Sequence, residues 1–144
     1  MLSDLTKEIE DLRSKNIMAK VESLTTQKAK DSKHIGNKVY YSYKEGDIYE
    51  LRAGIDRVTD IELQPGEYLT NPPVSGDTVR WKLAIIKSGS GINEVTHIVV
   101  KPLDTEIETN IVFTTNKHVY HMRALASDWY MPAIAWRNGK KSSN

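Results

Sequence analysis

The sequence predicts an all-β protein: an antiparallel β-sandwich of about eight or nine strands, preceded by an N-terminal amphipathic helix. In most segments after residue 38, apolar and polar residues alternate with the period of two that is typical of half-buried strands. Turn residues such as Pro65-Gly66 and Ser75-Gly76-Asp77 separate these segments at the close spacing of a sandwich or barrel. Before residue 38 the apolar residues have helical spacing instead.

Composition places the chain among soluble globular proteins with a modest core. It has 144 residues, 39% of them hydrophobic and 27% charged, and a net charge of +1. This charge gives no bulk electrostatic reason to expect nucleic acid binding. The chain has no cysteine, which excludes disulfides and thiolate metal sites. It has no apolar run of about 20 residues that would span a membrane, and its N-terminus has no apolar signal-peptide core.

The N-terminal helix is predicted by four apolar residues spaced three, four and three apart. This stripe has two interpretations: the helix packs back on its own sheet, or it is offered to another chain. Residues 1–37 are therefore interpreted as helix and linker, with a domain boundary at Gly36-Asn37. The candidate partner-binding residues are Leu2, Leu5, Ile9 and Leu12.

The β-domain is predicted over residues 38–137, with 138–144 as a flexible tail or the start of a linker. Val39, Tyr41 and Tyr43 alternate along the first strand. Glu45-Gly46-Asp47 then predicts a hairpin turn, with Ile48 to Arg52 as the partner strand. Two prolines keep residues 71–73 out of a central strand.

A long strand is predicted at Thr78–Lys87, with alternate apolar residues on one face and Trp81 as a core anchor. A flexible tip at residues 88–91 follows. Turns separate four further strands, which are predicted at Glu94–Lys101 (ended by Pro102), Asn110–Thr115, His118–Leu125 and Ala133–Arg137. The residues expected on the inner face of the long strand are Val79, Trp81, Leu83 and Ile85.

No catalytic, cofactor-binding or metal-binding residues are predicted. His118 and His121 differ by three positions and so face opposite sides of a strand, whereas His97 and His121 could share a face. Asp60 and Glu62 alternate with Ile61, which favours a solvated strand face over acid–base chemistry. Two rival functions stay open. One is a carbohydrate-binding sandwich that uses exposed tyrosines and Trp129, and the other is a hydrolase that uses paired carboxylates.

An ordered series of short motifs resembles a known family. These motifs are Tyr43 to Tyr49 (YKEGDIY), Thr59 to Glu67 (TDIELQPGE), Gly76 to Trp81 (GDTVRW), Val100 to Leu103 (VKPL), Thr109 to Asn116 (TNIVFTTN), His118 to His121 (HVYH) and Tyr130 to Arg137 (YMPAIAWR). Each motif alone is weak, but the ordered series over residues 40–137 is specific. The chain resembles the N-terminal domain of the TrbG/CagX family of conjugal transfer proteins, which are core components of type IV secretion systems.

The resemblance implies a non-enzymatic, periplasmic subunit of the outer-membrane core complex, present in many copies in a ring. It implies contact with the inner-membrane-spanning core subunit, and contact with a small outer-membrane lipoprotein only through a second domain that is absent from this chain. It implies no cofactor, no nucleic acid and no direct membrane span. The family's usual signal peptide is also absent here, and Asn138-Gly139 departs from the family pattern of an aromatic and a proline after Trp-Arg.

The motif residues themselves are interpreted as architectural. Gly66 and Gly76 permit tight turns, Lys101-Pro102 ends a strand, and Asn110 bonds local backbone. The full set of structural motif residues is Gly66, Glu67, Gly76, Asp77, Trp81, Lys101, Pro102, Asn110, Tyr120 and Trp136.

Overall fold

The computed structural model describes residues 26–28 and 32–137, and over these residues the all-β prediction is confirmed. Eleven strands form two sheets. Their bounds are β1 Thr26–Gln27, β2 Lys33–Ile35, β3 Lys38–Ser42, β4 Ile48–Ala53, β5 Thr59–Glu62, β6 Val74–Ser75, β7 Trp81–Ser88, β8 Val95–Pro102, β9 Glu108–Thr114, β10 Val119–Ala126 and β11 Ala133–Arg137. A 3-10 turn, Gly91–Asn93, lies between β7 and β8. The predicted N-terminal helix and the tail at 138–144 lie outside the described residues.

Both sheets are mixed, so the prediction of a purely antiparallel sandwich was wrong. The five-stranded sheet has the order β1-β4-β10-β9-β6, and the six-stranded sheet has the order β2-β3-β11-β5-β8-β7. β4 pairs in parallel with β10, and β11 pairs in parallel with both β3 and β5. Such pairs join strands far apart in sequence, whereas turn signals report only on strands that follow each other directly.

The predicted hairpin between β3 and β4 is also wrong, because these strands lie in different sheets. The turn is present, with the Asp47 amide donating to the Lys44 carbonyl at 3.1 Å and Gly46 at φ +91°. It carries the chain across the core instead of back along the same sheet. Tyr41 and Tyr49 therefore face each other through the core, and the Tyr41 hydroxyl donates to the Glu50 carbonyl at 2.6 Å.

An aromatic cluster fills the space between the sheets. Tyr41 and Trp136 come from the six-stranded sheet, and Tyr49, Phe113 and Tyr120 come from the five-stranded sheet. The Tyr120 and Trp136 rings lie 4.7 Å apart, and Tyr49 meets Trp136 edge to face at 5.3 Å. Aromatic pairs of this kind stabilise a core beyond the area that they bury. This cluster fixes how the two sheets stack.

The antiparallel hairpin between β9 and β10 agrees with the sequence prediction. The Thr115 amide donates to the His118 carbonyl at 2.9 Å across the turn at Asn116-Lys117. In the part of the chain that the structure describes, no helix is long and apolar enough to cross a membrane.

Candidate partner-binding surface

The edge of the six-stranded sheet is formed by β7, which pairs with β8 on one side only. Within the described residues, no strand pairs with its other side. The strand is eight residues long, whereas natural proteins usually keep edge strands short or otherwise blocked. A long open edge presents unpaired backbone donors and acceptors to which another strand can bind. We call this feature, together with the adjoining turn at Gly91–Asn93, the β7 edge.

The β7 edge exposes isoleucines on both faces of the sheet. Ile86 pairs with His97 and lies on the outer face, where it is 53% exposed, and Ile85 pairs with buried Ile98 but is still 42% exposed. Ile92, in the adjoining 3-10 turn, is 89% exposed. The prediction that alternate residues of this stretch face the core holds for Trp81, which is buried, and for Leu83, which packs partly buried against the core. It was wrong for Val79 and Ile85, which are exposed. At the edge of a sheet, both faces of a strand can remain accessible.

The hydrogen-bond alternation shows which backbone groups of β7 are open. The Leu103 amide donates to the Arg80 carbonyl at 2.7 Å, so residues 80, 82, 84, 86 and 88 point their amides and carbonyls toward β8. On the other side of β8, the Leu63 amide donates to the Thr96 carbonyl at 3.0 Å. Thr96 therefore points away from β7, which agrees with this alternation. The amides of Leu83, Ile85 and Lys87 therefore point away from the sheet. This is the arrangement that an added strand would need.

A row of polar side chains crosses the outer face of the same sheet. His97 Nδ1 lies 2.9 Å from Asp60 Oδ1, and His97 Nε2 lies 2.7 Å from Ser88 Oγ. Glu62 is the direct cross-strand partner of His97 and forms an ion pair with Lys38 at 2.5 Å. We call these five residues, drawn from β3, β5, β7 and β8, the polar row.

Asp60 and Glu62 do face outward, as their alternation predicted, but both are paired with other side chains. The hydrogen bond from Lys38 to Glu62 raises the pKa of the Lys38 ammonium. One ligand atom each from Asp60, Glu62 and His97 lies within 4.8 Å of the others, the spacing of a group that could hold a metal ion. His121 does not share this face with His97, because it lies on β10 in the other sheet.

A second exposed surface lies at the sandwich end where β4 and β10 finish. Trp129 is 51% exposed, and the Arg52 guanidinium lies 5.5 Å from the centroid of its indole ring. Arg57 lies 5.9 Å from the Tyr130 ring in the same way. Trp, Tyr and Arg are the residues most enriched in interface hot spots, so this end is a smaller candidate contact surface.

Glu67 and Tyr120, two of the predicted motif residues, meet in the interior. Glu67 is 2% exposed, and its Oε2 accepts hydrogen bonds from the Tyr120 and Thr115 hydroxyls, each at 2.7 Å. Its Oε1 accepts from the Gln64 amide at 3.3 Å. Burial, and then the neighbouring Glu67 carboxylate, raise the pKa of the Tyr120 hydroxyl. The carboxylate ties the turn that contains Gly66 to the β9–β10 hairpin.

Gly76 meets Asn110 where β6 passes β9, and Asp77 follows Gly76 in the chain. The Gly76 amide donates to the Asn110 carbonyl at 3.0 Å, and a Cβ on Gly76 would lie 2.5 Å from Asn110 Oδ1. A side chain at residue 76 would therefore displace Asn110. Asp77 accepts from the Val79 and Arg80 amides and pairs with the Arg80 side chain at 2.7 Å. These bonds, chiefly those with Arg80, lower the pKa of the Asp77 carboxyl.

The remaining motif residues lie in the core, on β8 or in a turn. Trp81 and Trp136 are buried in the core, and Pro102 is buried opposite Trp81 at the end of β8. Lys101 lies half-buried on the outer face of β8, and Gly66 adopts a φ of +82° in its turn. The predicted partner-binding stripe of Leu2, Leu5, Ile9 and Leu12 lies outside the described residues and stays a prediction.

Sequence reasoning missed the β7 edge and the polar row. One signal for the edge was present: Ile85 and Ile86 are consecutive apolar residues in a strand, and so they must occupy opposite faces. No comparable signal existed for the polar row, because Asp60 and His97 are 37 positions apart and only the register of β5 against β8 brings them together.

Over the residues that the structure describes, the fold is a two-sheet β-domain whose β7 edge is unpaired on one side and exposes isoleucines. Residues 37–144 match the CagX family of conjugal transfer proteins. A stretch of 67 residues, 46% of this chain, is 40% identical to the probable conjugal transfer protein TrbG of Sinorhizobium fredii (strain NBRC 101917 / NGR234). The matched stretch is 24% of the length of that protein. The family match covers most of the chain, and the chain belongs to the CagX family of conjugal transfer proteins, as the ordered motifs predicted.

Proposed function

We propose that this chain is a non-enzymatic assembly module of a type IV secretion apparatus for conjugal transfer. It acts in the periplasm, within the outer-membrane core complex, by contact with copies of itself and with other core subunits. Membership of a conjugal transfer family supports the setting. The observation that carries the contact role is the β7 edge, where open backbone donors and exposed isoleucines occur together.

The mechanism proposed is strand addition. An extended segment of a neighbouring subunit pairs with the open side of β7, and its amides and carbonyls satisfy those of Leu83, Ile85 and Lys87. Apolar side chains of the partner cover Ile86 and Ile92, which together give the contact its hydrophobic component. The backbone bonds supply affinity, and the side chains on the two faces supply selectivity. A ring of many copies would repeat this contact around its circumference.

The proposed partners are the inner-membrane-spanning core subunit and identical copies in the ring. Contact with the outer-membrane lipoprotein is assigned to a domain other than residues 38–137. No cofactor takes part in this function, because strand pairing and apolar burial need none.

The test is a paired substitution on the β7 edge. Ile86→Asp with Ile92→Asp removes the exposed apolar surface without touching the aromatic core. Val74→Asp with Val119→Asp is the matched control, since both valines are exposed on the five-stranded sheet. We expect the first pair to abolish co-purification with the other core subunits and to reduce plasmid transfer. The control pair should do neither. Equal losses in the two pairs, with both proteins folded, would refute the proposal.

One observation favours a second candidate, a carbohydrate-binding module. Trp129 and Tyr130 are exposed at one end of the sandwich, and exposed aromatic rings can stack on sugars. Arg52 already covers one face of the Trp129 ring, which leaves the other face for such stacking. Specific binding on a glycan array that is lost in Trp129→Ala would support this candidate over the assembly role.

A further inference from the structure

We propose that Asp60, Glu62 and His97 form a binding site for a divalent transition-metal ion such as Zn²⁺. This site is on the outer face of the six-stranded sheet and is separate from the assembly role. It combines two carboxylates and one imidazole, and all three side chains project from paired strands of one sheet face. The same sheet register that aligns β5 with β8 places these ligands together.

The geometry suits a small ion. Tetrahedral zinc with bonds of about 2.0 to 2.1 Å requires ligand atoms about 3.3 Å apart. The three candidate atoms already lie within 4.8 Å of each other, so side-chain rotation without movement of the strands can close the site. Glu62 stands directly across from His97, and Asp60 is diagonal to it. The side chains are 26%, 12% and 35% exposed, respectively for Glu62, His97 and Asp60, so solvent can reach the fourth position.

The ligand types indicate which ion is preferred. Calcium and magnesium favour sites made only of oxygen atoms. An imidazole nitrogen favours Zn²⁺ and other late transition metals. The two carboxylates supply two negative charges, which would balance the two positive charges of the ion. The structure therefore predicts selectivity for Zn²⁺ over Ca²⁺ or Mg²⁺.

Ser88 supplies an outer contact that holds the imidazole. Its Oγ lies 2.7 Å from His97 Nε2, the ring nitrogen farther from Asp60. Metal-binding histidines commonly use their second nitrogen in such a bond, which fixes the ring orientation. With Nε2 held by Ser88, Nδ1 is the nitrogen that faces both carboxylates. For Nδ1 to bind the metal, the neutral ring takes the tautomer in which Nε2 carries the proton and donates it to Ser88 Oγ, so that the Nδ1 lone pair is available to the ion.

Lys38 would compete with the metal ion for the Glu62 carboxylate. Its ammonium forms an ion pair with Glu62 and must release that carboxylate before the metal can take it. This leads to an unusual expectation: removal of a charged residue should tighten metal binding. Lys38→Met keeps the length of the side chain while it removes the charge, so it isolates this competition.

The experiment is calorimetric titration of the tag-free full chain with ZnCl₂, alongside the visible spectrum of added Co²⁺ as a report on coordination. We expect one saturable site. His97→Gln and Asp60→Asn should each weaken binding at least tenfold, and Ser88→Ala should weaken it by about 10- to 100-fold. Lys38→Met should strengthen it. His121→Gln is the matched control, since His121 is exposed on the opposite sheet, and it should leave affinity unchanged.

Three outcomes would overturn the metal site. They are the absence of saturable Zn²⁺ binding in the unmodified chain, binding that survives His97→Gln, and binding that is weakened equally by His121→Gln. If His97→Gln fails to fold, the Lys38→Met and Glu62→Gln variants decide, because the account requires them to shift affinity in opposite directions.

Discussion

The Tyr120 hydroxyl donates a 2.7 Å hydrogen bond to the Glu67 carboxylate, although 53 positions separate these residues in the chain. Thr115 donates to the same carboxylate oxygen at the same distance. A buried carboxylate is costly unless it is fully hydrogen-bonded, and here two hydroxyls and a backbone amide satisfy it. Three separated motifs of the family-like series are thus joined at one buried carboxylate.

Removal of the Glu67 carboxylate should destabilise the fold strongly. Glu67→Ala leaves the Thr115 and Tyr120 hydroxyls without their acceptor, and each bond to a charged group contributes about 1.5 to 3 kcal/mol. We expect a loss of at least about 3 kcal/mol in the free energy of unfolding, measured by urea denaturation. Glu67→Gln keeps one acceptor oxygen and should lose less. Glu45→Gln, in an exposed turn, is the control, and an equal loss there would refute the argument.

The domain should lose stability at alkaline pH. Burial raises the pKa of the Tyr49 hydroxyl to about 12, and burial also raises the pKa values of Tyr43 and Tyr120. In the unfolded chain these groups ionise near pH 10, so above that pH the unfolded state loses protons first and folding weakens. The contribution of Tyr49 is complete below pH 10 and declines up to about pH 12.

Ultraviolet absorbance of tyrosinate, followed with circular dichroism, measures this pH dependence. Tyr49→Phe should reduce the slope of stability against pH in the same window. Ionisation of every tyrosine near pH 10 in a chain that stays folded would contradict the burial of these hydroxyls.

Asp77 should contribute to stability at neutral pH and stop doing so in acid. Its hydrogen bonds, chiefly those with Arg80, lower the pKa of the Asp77 carboxyl from its usual 3.8. Its contribution is therefore present above pH 3.8 and is lost as the pH falls through the lower folded-state value. Asp77→Asn keeps an acceptor but cannot titrate, so its stability should decline less steeply as the pH falls below 3.8. An identical acid profile, measured by urea denaturation, would argue against this role.

Proline substitutions on β7 should separate assembly from folding. Ile85→Pro removes an amide that points to the open side, which edge strands tolerate, so we expect a folded domain that no longer joins the core complex. Ile86→Pro removes an amide that points to β8 and should lower the melting temperature instead. Comparison of thermal melts with co-purification checks both results. Normal assembly of a folded Ile85→Pro protein would exclude strand addition at this edge.

The sequence predicted those features of the fold that depend on local chemistry. Alternation in β5, β8, β9 and β10 matches the observed burial, because a period of two directly reflects the two faces of a strand. The turn at Asn116-Lys117 was located for the same local reason. Strand partners are not local, and so the parallel pairing of β4 with β10 and the crossing between β3 and β4 could not be deduced.

The candidate sites depend on information that one sequence carries weakly. The exposure of Ile85 depends on the position of β7 at the sheet edge, which a single strand's sequence does not reveal. The contact between Asp60 and His97 depends on the register of two strands that are separated in the chain by β6, β7 and their loops. Both the exposure of Ile85 and the contact between Asp60 and His97 depend on tertiary structure. Periodicity alone could not distinguish a covered strand face from an exposed one.

Site-specific photocrosslinking from β7 tests the central proposal most directly. A benzophenone amino acid would be placed at residue 86 of the chain in the assembled conjugation apparatus, and at residue 119 on the other sheet as the control. We expect a covalent adduct of defined mass from residue 86, either with a second copy or with the inner-membrane-spanning core subunit, and none from residue 119. Absence of an adduct at residue 86 in an intact, functional apparatus would contradict this proposal.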